Sequence, residues 1–272
     1  MLFFKRIILI GAFLFTASSA FAQGFDHSAL DRFLKQYVDS SGRINYAAAK
    51  QGRADLDQYL DQIKRADRGA LKSGPKQEHL AFWLNVYHAG LLSLTLENYP
   101  LKSSQEIPSF WDRQFLEVGL VGPGDKMRYG LSQIRNEMLL SQFQDEKIHF
   151  ALALGAKDGP LFPREAFTGP RVLGQLFKCA RREVSRPEMV RVDSVKRVVS
   201  LSKLFEWYSP DLIKNFGRPE RRGKFNRTDS AIINFLIRYS KKIEDIKFLK
   251  TAKYKIEYPF FDWSLNDSST AG

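Results

Sequence analysis

The sequence is poor in cysteine: Cys179 is the one thiol among 272 residues, so an intramolecular disulfide is excluded. The fold must therefore rest on its hydrophobic core. Cys179 follows an amphipathic helical pattern that includes Val172, Leu176 and Phe177. No polar activating group stands beside it in that pattern. We therefore predict a buried structural thiol and not a nucleophile.

Histidine is also scarce, and the chain lacks clustered metal ligands. The four histidines are far apart in sequence, with no H-x-x-x-H pattern and no Asp-rich loop: His27, His79, His88 and His149. A folded site made from His88, His149 and Asp262 is the remaining alternative for a metal. The segment 155–159 lacks the spacing and the Lys-Ser/Thr pair of a nucleotide-binding loop. We predict no metal and no cofactor.

No apolar run in the chain has the pattern of a membrane span, and the N-terminal one is typical of a secretory signal. Lys5 and Arg6 precede the apolar run Ile7 to Thr16, and Ala20-Phe-Ala22 is a small-residue cleavage site. The run is too short to cross a bilayer. We predict that residues 1–22 are removed, so that a periplasmic or secreted protein begins at Gln23. An uncleaved anchor is the alternative.

Acidic residues are outnumbered, 30 against 42 Lys and Arg, which gives a formal net charge of +12. A basic exported protein is expected to meet an anionic envelope polymer or lipid head groups, and not nucleic acid. The best candidate contact patch is the basic cluster Arg218, Arg221, Arg222, Lys224 and Arg227. A solvated loop explains such a charge run equally well and is the simpler interpretation.

The most informative stretch is the central block, residues 149–168. Ile148 to Leu154 is almost continuously apolar and predicts a strand that is buried on both faces. Residues 155–160, Gly-Ala-Lys-Asp-Gly-Pro, then form a polar turn. Asp158 could act as a carboxylate base and Lys157 could pair with an anionic substrate. Alternatively, Asp158 accepts hydrogen bonds from turn amides.

Residues 78–98 predict a central helix with almost no polar face, which is typical of a helix buried in protein. Asn85 and His88 are three residues apart and share one face of it. Burial without a partner costs a polar side chain about 1–3 kcal/mol. We therefore predict that Asn85, His88 and His149 satisfy one another, with Asp262 fixing a histidine tautomer and the segment 262–266 covering the same site.

The remaining patterns predict an α+β fold in a single domain, with a central mixed or antiparallel sheet packed against the long buried helix. We expect an N-terminal helical region at 23–75, a core domain at 76–267 and a frayed tail at 268–272. Residues 65–75 are predicted to be a connector. The other predicted elements are helices at 26–38, 132–143, 171–184 and 228–239, a hairpin at 115–131, two β-rich runs within 189–201, a short helix at 201–208 whose Trp207 packs inward, and a strand at 254–258.

Four separated blocks give the chain a resemblance to the domain of unknown function 547 family over roughly residues 33–267. They are 81–88 (AFWLNVYH), 149–168, 201–208 (LSKLFEWY) and 261–266 (FDWSLN). The resemblance implies a relation to papain-like or transglutaminase-like thiol hydrolases. The cysteine positions of many bacterial members align with Leu154 and Gly159. The usual Glu-His pair aligns with Arg135 and Asn136, and a usual Asn aligns with His88.

These departures lead to two functional hypotheses. The first is an exported protein that binds an envelope component in a cleft beside residues 154–162, without a thiol nucleophile. The second is a hydrolase that uses His149 with Asp158 or Asp262 as its catalytic residues. The predicted ligand-binding residues are Asn85, His88, Lys157 and Asn266. A purely structural envelope protein is a third class.

Overall fold

A computed structural model describes residues 24–120, 126–217 and 225–269. The predicted signal segment and most of the basic cluster at 218–227 lie outside the described residues. The α-helices are α1 (Ser28–Tyr37), α2 (Tyr46–Gln51), α3 (Ala54–Lys64), α4 (Arg68–Ser73), α5 (Lys76–Asn98), α6 (Leu131–Gln133), α7 (Ser141–Phe143), α8 (Val172–Val184), α9 (Lys203–Trp207), α10 (Ser209–Phe216), α11 (Arg227–Tyr239) and α12 (Ile243–Lys250). The strands are β1 (Leu116–Leu120), β2 (Lys126–Tyr129), β3 (Val190–Asp193), β4 (Val198–Leu201) and β5 (Lys255–Glu257).

The predicted central helix is confirmed as α5, whose residues from Leu80 to Leu96 are all buried. Its 23 residues carry apolar side chains on every side, so it must be surrounded by other elements. Helices α2, α3, α4 and α8 pack around it. The N-terminal helices thus contribute to the same hydrophobic core as α5. Within the described residues, no helix is long and apolar enough to cross a membrane.

The α+β class is confirmed, but the prediction of one central sheet against α5 is wrong. The strands form two small separate sheets: β1 pairs with β2, and β4 lies between antiparallel β3 and parallel β5. Each strand has only three to five residues. Helices take the place of a sheet around α5 because its apolar surface faces in all directions and a single sheet covers one side only.

The central block is buried as predicted, but it does not form a strand. A 3-10 helix, Glu146–Phe150, begins at Asp145, whose carboxylate accepts the backbone N–H of Lys147 at 2.9 Å. Turns follow it, and Gly155 takes a positive φ of 68°. In a short run of apolar residues, hydrophobic periodicity cannot distinguish a buried strand from a buried helix. The capping carboxylate and the neighbouring side chains decided the outcome.

Other predictions were right in part. The helix at 132–143 is present with a π-helical segment, Ile134–Leu140, between α6 and α7. The connector at 65–75 contains α4, and the sequence patterns missed α10 and α12. Helix α11 is capped by Asn226 and not by Thr228 or Asp229, since the Asn226 side chain accepts the Asp229 N–H at 2.8 Å. In the predicted tail, the Ser268 N–H bonds to the Ile44 carbonyl.

Candidate functional site

His149 is buried, but it does not meet the residues predicted to accompany it. Its Nε2 lies 2.8 Å from a carboxylate oxygen of Asp211, the third residue of α10. Burial is the main reason that the pKa of His149 falls to about 4. A neutral imidazole then donates from Nε2 to Asp211 and leaves Nδ1 as a bare acceptor. Nδ1 is buried without a hydrogen-bond partner within the described residues.

Asn85 and His88 bond to the backbone of the central block, and neither contacts His149 through a hydrogen bond. The Asn85 amide accepts the Phe167 N–H at 2.9 Å and donates to the Phe167 carbonyl at 2.8 Å. His88 Nδ1 lies 2.7 Å from the Leu84 carbonyl, and the Ala153 N–H points to Nε2 at 3.4 Å. The predicted mutual cluster is therefore wrong. An irregular buried backbone has donors and acceptors of its own, and these are what the side chains satisfy.

The closing segment, residues 261–266, pairs with the turn at residues 155–160, and the predicted cover over a shared site of Asn85, His88 and His149 is wrong because that cluster does not form. Asp158 accepts the Asp262 N–H at 2.7 Å through its carboxylate, and Lys157 donates its N–H to Ser264 at 2.9 Å. Asn266 accepts the hydroxyl of Tyr46 at 2.8 Å. Asp158 and Asp262 thus hold two chain segments together. Neither is bonded to His149, so the predicted pairing of His149 with either carboxylate is wrong.

Trp263 of this closing segment lines a cavity of about 350 Å³, which we name the tryptophan cavity. Its lining residues are Tyr87, Trp111, Asp112, Leu131, Ser132, Arg135, Leu154, Trp207, Tyr208 and Trp263. It opens where the core around α5 meets the core around α11, and Trp111 packs against both. A concave, mostly aromatic cavity with a few polar groups is a typical small-molecule site.

Arg135 supplies the positive charge of the tryptophan cavity. Its guanidinium carbon lies 5.1 Å from the centre of the Tyr208 ring, a cation–π contact that holds the head group against the wall. Its Nε is buried and has no hydrogen-bond partner in the described part of the chain. A buried donor without a partner costs about 1–3 kcal/mol. A bound anion would remove that cost, because a guanidinium forms paired hydrogen bonds with carboxylate or phosphate.

Separate elements hold the aromatic walls. The Trp111 carbonyl accepts the Ser132 N–H at 2.8 Å and so joins its loop to the start of α6. Trp207 ends α9, Tyr208 follows directly, and Trp263 belongs to the closing segment. Trp207 is 45% exposed, so the prediction that it packs inward is wrong. It lies at the rim of the cavity, stacked at 5.8 Å on Trp263.

Sequence patterns alone missed these aromatic residues as site residues, because apolar side chains in helical spacing also predict a core. Two positions could have pointed to the cavity, because the residue type there differs from the one that the family resemblance implies. The resemblance to the family implies a cysteine where this chain has Leu154 and a Glu-His pair that begins where it has Arg135, and both residues line the tryptophan cavity. The other cysteine position, Gly159, lies outside it. The cavity contains an arginine and no thiol.

The described residues contain no group of three His, Cys, Asp or Glu side chains that could hold a metal ion. His88, His149 and Asp262 have separate partners. Cys179 is buried in α8, and burial raises its pKa to about 11, so the expected structural thiol is confirmed. Phe177, placed in the same apolar pattern, is 37% exposed. Besides its aromatic walls, the tryptophan cavity has Arg135, Asp112 and Ser132 among its lining residues.

The comparisons with known proteins matched a family of unknown function. No curated protein and no solved structure matches the chain. Residues 71–182 match the family described as Protein of unknown function, DUF547. This range contains α5, Arg135 and the whole central block, so the chain resembles that family over the part of the sequence that builds most of the tryptophan cavity.

Proposed function

We propose that this protein binds an anionic ligand with an apolar ring face in the tryptophan cavity, and that it does so without a thiol nucleophile. The observation that carries the proposal is the unpartnered Nε of Arg135 in a cavity walled by three tryptophans. A carboxylate or phosphate of the ligand would bind to the guanidinium of Arg135. An apolar ring face would cover the indoles, which bury large area with little loss of side-chain freedom.

Leu154 supports binding over thiol catalysis. It lines the cavity at a position where the resemblance implies a cysteine. A leucine cannot attack a substrate, and Cys179 is buried in α8 with a raised pKa. Of residues 154–162, beside which we predict the cleft, Leu154 lines the tryptophan cavity. Asn266, expected to bind the ligand, accepts the Tyr46 hydroxyl, and Lys157, also expected to bind it, donates its backbone N–H to the Ser264 carbonyl; neither residue lines the tryptophan cavity.

The direct test compares a charged and a neutral sugar of the same ring size. Tryptophan fluorescence should respond to glucuronate in about the millimolar range and to glucose at least about tenfold more weakly. Arg135→Ala should abolish the difference between them, since the carboxylate loses its partner. Arg128→Ala is the matched control, because Arg128 is exposed and pairs with Glu117 outside the cavity. Equal responses to both sugars, or an unchanged response of Arg135→Ala, would refute the proposal.

A hydrolase is the second candidate, and the hydrogen bond between His149 and Asp211 is the observation in its favour. Asp211 would orient the imidazole, in the role we had assigned to Asp158 or Asp262, and Nδ1 would act as a general base toward water. His149→Gln would then abolish turnover of a hydrolysable ester or amide. Turnover that survives this substitution would exclude His149 as the base.

Export to the periplasm or the exterior is part of the proposal, and an envelope component is the expected source of the ligand. The support is the pattern of residues 1–22, with its basic start, apolar run and Ala20-Phe-Ala22 site. Mass spectrometry of the protein from an envelope fraction should give a chain that begins at Gln23. A mass that still includes residues 1–22 would contradict cleavage there and favour the uncleaved anchor.

A further inference from the structure

A second cavity, of about 320 Å³, lies beside β4 and Phe261 of the closing segment, and we name it the β4 cavity. Ser200 and Leu201 of β4, Lys203 of α9, Arg191 of β3 and Phe261 are among its lining residues. With Ser202, the lining has two serines and two basic residues beside the acidic Asp158 and Glu188, and such a lining suits a polar ligand.

The two cavities are separated by a single layer of aromatic side chains. Phe261 lines the β4 cavity, whereas Trp207 and Trp263 line the tryptophan cavity. The ring centres of Phe261 and Trp263 are 4.6 Å apart, and those of Trp207 and Phe261 are 5.1 Å apart. Helix α9 also contributes to both, with Lys203 at its start and Trp207 at its end.

The separating layer is open to solvent at Trp207, which is 45% exposed, whereas Phe261 is buried. Phe260, which lines the β4 cavity next to Phe261, is 90% exposed. Large aromatic side chains that face water beside two cavities are a feature of interaction sites more than of an ordinary surface. Each offers a flat apolar face of the kind on which a ring can stack.

The charges in the β4 cavity favour a ligand of moderate negative charge. Its carboxylates are engaged: Asp158 accepts the Asp262 N–H, and Glu188 lies 3.6 Å from Arg186. Arg191 forms no ion pair with the part of the chain that the structure describes. Each cavity is thus lined by one arginine that forms no ion pair within the described residues, and acidic residues lie nearby. A polymer with a phosphate at every unit would be repelled by those carboxylates more than a polymer with spaced charges.

We propose that the ligand is a linear acidic polysaccharide that occupies both cavities and crosses the aromatic layer of Trp207, Phe261 and Trp263. This inference rests on the proposed function, because Arg135 must hold one acidic sugar in the tryptophan cavity. A second acidic sugar then lies near Arg191. Sugar rings suit the path between them, since their C–H faces stack on aromatic rings while their hydroxyl groups remain in water.

The test measures affinity against ligand length with oligosaccharides that alternate a uronic acid and a neutral hexosamine. The full chain should bind the hexasaccharide at least about tenfold more tightly than the disaccharide, because the second cavity adds contacts to an already tethered ligand. Arg191→Ala should remove most of that gain and leave the disaccharide unchanged. Lys196→Ala, an exposed basic residue between β3 and β4, is the matched control and should change neither affinity.

The outcomes separate this inference from the proposed function. If the disaccharide binds in an Arg135-dependent manner but length brings no gain, or if Arg191→Ala keeps the gain, the two-cavity ligand is refuted and the single-site proposal stands. If no oligosaccharide binds and glucuronate also fails, the proposed function itself is refuted. If oligothymidylate or oligoglutamate of equal charge shows the same Arg191-dependent gain, the ligand class is wrong.

Discussion

The imidazole of His149 stacks on the ring of Tyr208, with centroids 4.1 Å apart and an interplanar angle of 15°. Tyr208 in turn lines the tryptophan cavity and carries the guanidinium of Arg135 over its ring. His149 is only 3% exposed, so it supports the cavity wall from behind. For the binding proposal it is therefore a positioning residue, and Asp211 holds it in place.

The first prediction concerns Asp211, whose carboxylate accepts a hydrogen bond from the Nε2–H of His149. Asp211→Ala would leave that N–H buried without a partner, and we expect a loss of about 1–3 kcal/mol in the free energy of unfolding. Asp211→Asn keeps an oxygen acceptor, so its loss in the free energy of unfolding should be less than half that of Asp211→Ala. Urea unfolding of the two variants beside the wild type measures both. Equal losses would indicate that the hydrogen bond does not decide the stability.

The second prediction is a pH dependence of stability that involves three buried histidines. Burial lowers the pKa values of His27, His88 and His149 to about 4, against 6.5 in an exposed histidine. Between pH 6.5 and 4 the unfolded chain therefore binds protons that the folded protein does not. The free energy of unfolding therefore has its full value above pH 6.5. Below pH 6.5 it falls by up to about 1.4 kcal/mol per pH unit for each histidine.

His88→Asn tests this dependence with one of the three groups removed. Between pH 7 and pH 5 the variant should lose about 2 kcal/mol less free energy of unfolding than the wild type, whatever its stability at pH 7. Between pH 7 and pH 8 the two proteins should change in parallel, which serves as the internal control. Parallel curves down to pH 5 would show that His88 titrates normally in the folded protein.

The third prediction concerns Asn85, which bonds both backbone groups of Phe167. Asn85→Ala would leave a buried N–H and a buried carbonyl without partners, so we expect a loss of about 2–4 kcal/mol. Thr95→Val is the control on the same helix. The Thr95 hydroxyl bonds the Leu91 carbonyl, which the helix already uses, so this variant should lose less than about 1 kcal/mol. Similar losses would mean that packing alone explains the effect of Asn85.

The fourth prediction uses thiol chemistry to test access to the tryptophan cavity. Cys179 has a raised pKa and is buried in α8, so the native protein should react with a thiol-specific reagent only at the rate of unfolding. In a Cys179→Ala background, Leu154→Cys should react at least about tenfold faster, since residue 154 lines the cavity and Arg135 favours a thiolate there.

Two results would contradict this fourth prediction about thiol labelling. Rapid labelling of Cys179 in the native wild type would show that α8 opens or that the thiol is exposed. A thiol at position 154 that reacts no faster than Cys179 would show that the cavity is closed to small reagents. Circular dichroism of the double variant provides the control for correct folding.

The sequence by itself determined the features that depend on local pattern. The unbroken apolar surface of residues 78–98 required a buried helix, and the apolar run at 148–154 required burial. The hairpin, α8 and the buried Cys179 followed from alternation and helical spacing in the same way. These predictions succeeded because hydrophobic periodicity reports directly which side of an element faces water.

Only the tertiary structure decided which partner each buried polar group takes. Asn85 meets Phe167 across 82 residues, and His149 meets Asp211 across 62. The sequence required that these groups be satisfied, but a backbone amide or a distant carboxylate does so as well as a neighbouring imidazole. The tryptophan cavity arose in the same way. Its walls come from α5, the loop before β1, the π-helical segment, α9 and the closing segment, and their meeting depends on packing between distant elements, which no local period records.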